Sequence, residues 1–417
     1  MKMAPGWSIW IKVLAEVQRT GRSVVRVRRC EILMFESQEQ VAFKLESLLE
    51  GGNGMVRTLQ WLALAPHLGD SVMVSSAQRE VLGTLSPSLW TDVDTLGSAT
   101  RLELDALIDH GLVVMEAPAV GSVAERQRRD DDRLRAAHWH PLGAILHAFT
   151  RWDSVDAVKN TQDSGTETAA GMRDVLGPPP AVTRSEGQGD AVALPHAEPD
   201  AFDALLQRRA TCRNFDDSRP LPMALFTRML GRVFAAQAKI RVGDDLVFHK
   251  KNSPSGGGLH PMEAYLIVQQ VEGIAPGLYR YLADSHSLLP LTAPDQPLRD
   301  FIMESVGQQH WFANAHCLVT MVPRFDRSFW KYRRHAKGYR VVTLEAGHLS
   351  QTLYLSATDL GLGAFITGAI NEKHLERGFG LDPIQQGALA VCGFGWRAQH
   401  METAELDPLE QVWQRVG

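Results

Sequence analysis

Asn252-Ser253-Pro254-Ser255-Gly256-Gly257-Gly258-Leu259-His260-Pro261 runs almost directly into the apolar stretch EAYLIVQQV. Three consecutive glycines let a backbone approach a flat ligand closely and turn its N–H groups toward acceptor atoms. Two prolines, with a buried strand after them, favour a shaped loop over a slack hairpin. No Gly-Lys-Ser/Thr follows, so the stretch is not a P-loop.

Two further features flank this loop in the chain. Upstream, Arg209, Thr211 and Arg213 stand at i, i+2 and i+4 after a short amphipathic helix ending in Leu205 and Leu206. In an extended segment that period puts all three side chains on one side. Two guanidinium groups and a hydroxyl there make a phosphate clamp. Downstream, Trp330-Lys331-Tyr332-Arg333-Arg334 leads into VVTLEAGHLSQTLYLSATDLGLG. That helix is apolar on nearly every face from Leu344 to Leu362, which predicts burial in a large domain or an interface. Lys331 and Tyr332 can both carry protons.

The ordered set of Arg209-x-Thr211-x-Arg213-x-Phe215, Pro254-Ser255-Gly before a strand, Lys331-Tyr332 and EAGHLSQTLYLSATDLGLG resembles the nitroreductase-like flavin enzymes. Within them it is most similar to the SagB-type azoline dehydrogenases, which mature ribosomal peptides. The resemblance spans roughly residues 200–400. It implies an α+β fold, with a mixed sheet flanked by helices, dimeric, with FMN at the homodimer interface. It implies that Arg209, Thr211 and Arg213 hold the phosphate and ribityl end of FMN. Pro254, Ser255 and Gly256 would lie against the ring from the partner subunit, Gln351 and Gly363 would line the ring site, and Arg397 would add a second phosphate ligand. Ala210 departs from the Arg or His often found there. The implied reaction oxidises a thiazoline or oxazoline in a precursor peptide to the aromatic azole, in company with a cyclodehydratase. Lys331 or Tyr332 would be the base, with Lys331 buried and Arg333 and Arg334 beside it.

The 417 residues divide at a Gly-, Pro-, Ser- and Thr-rich stretch. Residues 156–199 read as a linker, 200–417 as the flavin domain, and 1–155 as a winged-helix-like α/β module with a connecting helix. In that module VVRVRRCEILMF reads as a strand and AFKLESLLEGG as a short amphipathic helix. SSAQREVLGTLSP is a helix capped by Ser75 and Gln78, SLWTDVDTLG a second helix, and SATRLELDALIDHG a third with Ser98 as its N-cap. LVVMEAP follows as a strand. The third helix carries Arg101 against Glu103, Asp105 and Asp109, the wrong sign for a phosphate backbone, so a peptide leader is the expected partner and nucleic acid is not. His138, His140 and His147 lack the spacing of a metal site.

A net charge of −5 and four cysteines without C-x-x-C spacing fit a reducing cytoplasm. The nearest approach to a membrane or signal segment, residues 7–17, is interrupted by Lys12 and Glu16. Gly393-Phe394-Gly395-Trp396-Arg397-Ala398 follows a strand, but too few residues remain for a dinucleotide-binding unit. The alternatives are a nitroreductase or flavin reductase using NAD(P)H on small molecules, a peptide dehydrogenase acting on another bond, and a peptide-binding scaffold without catalysis.

Overall fold

The computed structural model describes residues 24–183 and 191–413. The stretch 7–17 and part of the linker lie outside them. The chain forms two compact units: one of residues up to Thr150 together with Phe329–Gly338, the other of Arg151–Ser328 with Tyr339 onward.

In the first unit, strand β1 (Arg26–Arg29) is central between β5 (Thr91–Asp92) and β6 (Val113–Met115), all antiparallel. Strands β2 (Met34–Phe43), β3 (Met55–Leu64) and β4 (Val72–Val74) form a second sheet. The predicted single strand is therefore split, at residues 30–33. The short helix Leu45–Leu49 at the tip of this sheet buries none of its residues. Helix Ser76–Thr84 carries the Ser75/Gln78 capping box. The expected second helix is instead β5 and one 3-10 turn, Val93–Thr95. Asp92 ends it locally by accepting from Asp94 N–H, a turn that competes with helix. Helix Ser98–Asp109 has Gly97 at the N-cap, so Ser98 is its first residue rather than its cap. Helices Val123–Ala136 and Pro141–Phe149 follow, with Pro141 in the first turn. Arg28 and Asp131, both almost fully buried, pair at 2.6 Å.

The second unit is built on a six-stranded sheet. Its order is β11 (Ser287–Pro290), β10 (Gly277–Leu282), β9 (Met262–Val268), β12 (Cys317–Pro323), β14 (Ala390–Gly395), β13 (Gly363–Thr367). Neighbours pair antiparallel, and the mixed character comes from Thr211, which bridges Ala364 in parallel. The central strands β9 and β12 are mostly apolar and buried along almost their whole length, the pattern of strands covered on both faces. Phe301, Phe312, Phe365 and Val391 lie in the core. The Gly393 and Gly395 pair serves packing: a Cβ on either would lie 2.2–2.3 Å from Phe365 or His316. The stretch read as a linker carries two short helices, Ala157–Asp163 and Ala169–Leu176, capped by Asp156 and Thr168. No helix of the described residues is long and apolar enough to cross a membrane.

Candidate functional site

The long helix Gly338–Asp359 organises the site. Its residues 341, 345, 348 and 352 follow the i, i+4, i+7, i+11 spacing of one face. The glycine loop lies along that face. Ser255 Oγ donates to Glu345 at 2.5 Å, Met262 N–H donates to Glu345 at 3.3 Å, and Ser253 Oγ meets Thr352 Oγ1 at 2.8 Å. His348 Nδ1 lies 3.3 Å from the Pro254 carbonyl. Gly256 packs so tightly that a Cβ would sit 2.0 Å from Val341 Cγ1. Gly257 and Gly258 take the left-handed backbone at φ +66° and +70°. Burial raises the Glu345 carboxyl above its ordinary range, opposed by the Ser255 hydroxyl and the Met262 N–H.

The clamp lies on the other side. Residues 209–214 run extended beside β13, with Cys212 N–H donating to Ala364 O at 2.8 Å. Ala210, Cys212 and Asn214 are buried, while Arg209, Thr211 and Arg213 are half-buried, as the period of two predicts. Ala210 therefore points away from the clamp side. Thr211 Oγ1 meets Tyr354 Oη at 3.1 Å, and the Arg209 guanidinium lies 5.4 Å from the Tyr354 ring. Tyr354 also accepts from Ile366 N–H at 3.1 Å. Nine positions separate Glu345 from Tyr354. At roughly 100° per residue they face opposite sides of one helix.

Between the two flanks the helix is open. Leu344 is 62% exposed, and Gly347 and Gln351 are exposed with it, in place of the all-round burial expected. Gln351 thus stands between loop and clamp. Gly363 is buried, and a Cβ there would meet Cys212 Sγ at 2.4 Å, so it seats the clamp strand on β13. Arg397 pairs with Glu405 and donates to Ala210 O at 3.3 Å.

Glu405 carried no signal in the sequence. Its fully buried carboxylate accepts from the backbone N–H groups of Arg213 and Asn214 and from Trp413 Nε1 at 2.7 Å. It fixes the clamp backbone and offsets the charge of Arg397. Tyr354 was equally hidden within an apolar helix.

Lys331 and Tyr332 fall in the other compact unit. Lys331 ends helix Phe325–Lys331 and is exposed, not buried as expected, with Nζ 5.5 Å from the Tyr332 ring. The pair straddles a helix end, where neighbours need not diverge. Arg334 is turned toward Glu31, pairing at 2.5 Å. Among the described residues no cluster of His, Cys, Asp and Glu is placed to hold a metal.

The donor set suits the phosphate end of a flavin. Among the described residues Arg209 and Arg213 have no carboxylate partner, and Thr211 stands between them. Residues 206–396 match the nitroreductase family. A flavin cofactor belongs to that family, and the clamp is chemically fit to anchor one. The domain is 29% identical over 184 residues to a nitroreductase-like protein of Methanocaldococcus jannaschii, covering 44% of this chain and 86% of that one. It is 30% identical over 149 residues to the trifolitoxin-processing protein TfxB of Rhizobium leguminosarum bv. trifolii, covering 34% and 38%. It is 27% identical over 191 residues to the microcin B17-processing protein McbC of Escherichia coli, covering 44% and 65%. The match thus spans less than two thirds of each processing protein.

Proposed function

We propose that this protein is an FMN-dependent dehydrogenase that oxidises thiazoline or oxazoline rings in a ribosomally made precursor peptide to thiazole or oxazole. The observation that carries the reading is the pair of guanidiniums, Arg209 and Arg213, that have no carboxylate partner among the described residues, in a domain similar to two toxin-processing proteins. Loop and clamp facing opposite sides of one helix support a homodimer, in which the loop of one copy meets the flavin ring held by the clamp of the other. A cyclodehydratase would supply the azoline.

Bound FMN supplies the hydride acceptor. The chain's own residues do the rest. Arg209, Thr211 and Arg213 anchor the phosphate, with Arg397 and Glu405 fixing the strand beneath. Pro254, Ser255 and Gly256 give the ring a rigid wall. Lys331 or Tyr332 takes the proton that leaves the azoline as its hydride departs, completing the double bond. Residues 24–120 recognise the peptide leader, with β6 an edge strand of its sheet to which an extended peptide could add.

The test uses purified protein and an azoline-bearing peptide. FMN should co-purify without a covalent bond. Lys331→Ala and Tyr332→Phe should keep it, and at least one should lose about 10²–10⁴-fold in oxidation rate. Wild-type rates in both would move the base elsewhere. The likeness to the archaeal nitroreductase-like protein supports a second reading, NAD(P)H-driven reduction of small molecules. Fast NAD(P)H turnover with no azoline oxidation would select it. A labelled leader peptide should bind the full chain, and duplex DNA at physiological salt should not.

A further inference from the structure

Beside the glycine loop, the second unit holds a half-open pocket of about 490 Å³. It lies between the hairpin of β7 (Ala238–Arg241) and β8 (Val247–Lys250), the ends of β9 and β10, and Arg324 and Arg327. Six cationic side chains line it against two carboxylates. Both carboxylates are engaged. Glu263 accepts from Arg280 at 2.7 Å, and Asp284 takes Lys239 and His249 at 2.8 Å. Arg324 is held by Asp326 at 2.7 Å, and Arg241, exposed at the rim, donates to the Asp244 carbonyl at 2.8 Å.

Two cations remain. Lys251 is only 5% exposed, and among the described residues its ammonium makes no hydrogen bond or ion pair. Arg327 gives Nε and one Nη to the Leu259 and Val247 carbonyls and has no carboxylate partner among the described residues. An unpaired buried ammonium costs the fold stability unless something compensates it. Burial pushes Lys251 down, while Glu345, Glu263 and Asp284 pull the other way from beyond contact. His260, at the cavity wall, is driven to about 4 by burial and then by Lys251, so its imidazole adds no charge. Two uncompensated cations match a dianion, and a phosphomonoester carries about −1.5 to −2 charges near neutral pH. The volume exceeds what bare phosphate fills and falls within the range of small-molecule sites. Phe234 and Tyr281, a T-shaped pair 6.4 Å apart, offer an apolar wall.

We infer that this cavity binds the phosphate group of a small organic phosphate, through Lys251 and Arg327, at a site separate from the flavin clamp. The inference does not depend on the proposed reaction. The test titrates the purified full-length protein with inorganic phosphate, against acetate at matched ionic strength, by calorimetry. Wild type and an Arg209→Ala/Arg213→Ala variant should share a binding event of equal affinity. Lys251→Met should weaken it at least tenfold, and Arg327→Gln several-fold. Lys251→Met should also raise the melting temperature without phosphate, since an unpaired charge is gone. Phosphate affinity unchanged in both cavity variants, acetate binding as tight as phosphate, or loss of the event in the clamp variant alone would each overturn the assignment.

Discussion

The loop flank and the clamp flank of the long helix solve different problems. The clamp presents charge: two guanidiniums and a hydroxyl on an extended strand, half-open and, among the described residues, without carboxylate partners. The loop presents shape: a glycine turn with Gly256 pressed against Val341 and its flanking serines anchored by Glu345 and Thr352. Charge recognition tolerates small movements, because a guanidinium fork can reach. Backbone recognition does not, because its N–H groups move only with the chain. Ligand affinity should therefore live mainly on the clamp, and fold stability mainly on the loop.

The sharpest break of that contrast comes from the clamp. Arg209→Ala with Arg213→Ala removes two charge-assisted contacts worth about 1.5–3 kcal/mol each. FMN affinity should fall by roughly 10²–10⁴-fold, read from flavin retained on gel filtration, while the melting temperature of the flavin-free protein moves little. A large drop in that melting temperature would mean the arginines also hold the fold.

The clamp was legible because its period of two survives folding: odd positions face out and even positions face in. The loop was legible because glycine runs beside proline have few other uses. What escaped was contributed from far along the chain. Glu405 reaches Arg213 and Arg397 from a C-terminal segment with no periodic pattern. Lys251 sits beside the glycine loop, and nothing local reveals that Arg327 and β10 enclose it. The helix expected within SLWTDVDTLG failed for a local reason instead: Asp92 pairs with Arg26 in β1 and caps a turn, so strand and turn displaced the helix. Lys331 precedes the long helix in sequence, but exposure is a tertiary property that adjacency does not reveal.

On the loop flank the expected effect is smaller and of the other kind. Gly256→Ala places a methyl 2.0 Å from Val341 Cγ1, so the helix or the loop must move. Overpacking of this sort costs about 1–3 kcal/mol. Chemical denaturation should show that loss, and Val341→Ala in the same chain should restore most of it. Failure of the second change to rescue the first would place the strain in the loop backbone and not at the helix contact.

The smallest effect tests whether the loop's anchor is ionised. Burial holds the Glu345 carboxyl above its ordinary value of 4.5, and the Ser255 hydroxyl and Met262 N–H only partly offset this. A carboxyl raised on folding contributes stability that is fully present below about pH 4.5 and is lost as pH rises through its folded value. Wild-type stability should therefore decline across that window as Glu345 ionises. Glu345→Gln should flatten the decline, since an amide still accepts from Ser255 and carries no charge. Ser255→Ala should make the decline extend to higher pH, because losing a donor to the carboxylate raises the carboxyl further, at a cost of about 1 kcal/mol. The clamp variant should keep the wild-type slope, as Tyr354 faces away from Glu345. Unfolding free energies measured from pH 4 to 8 separate these outcomes. An identical slope in wild type and Glu345→Gln would show that the loop is held by packing alone, and the two flanks would then differ in geometry but not in electrostatics.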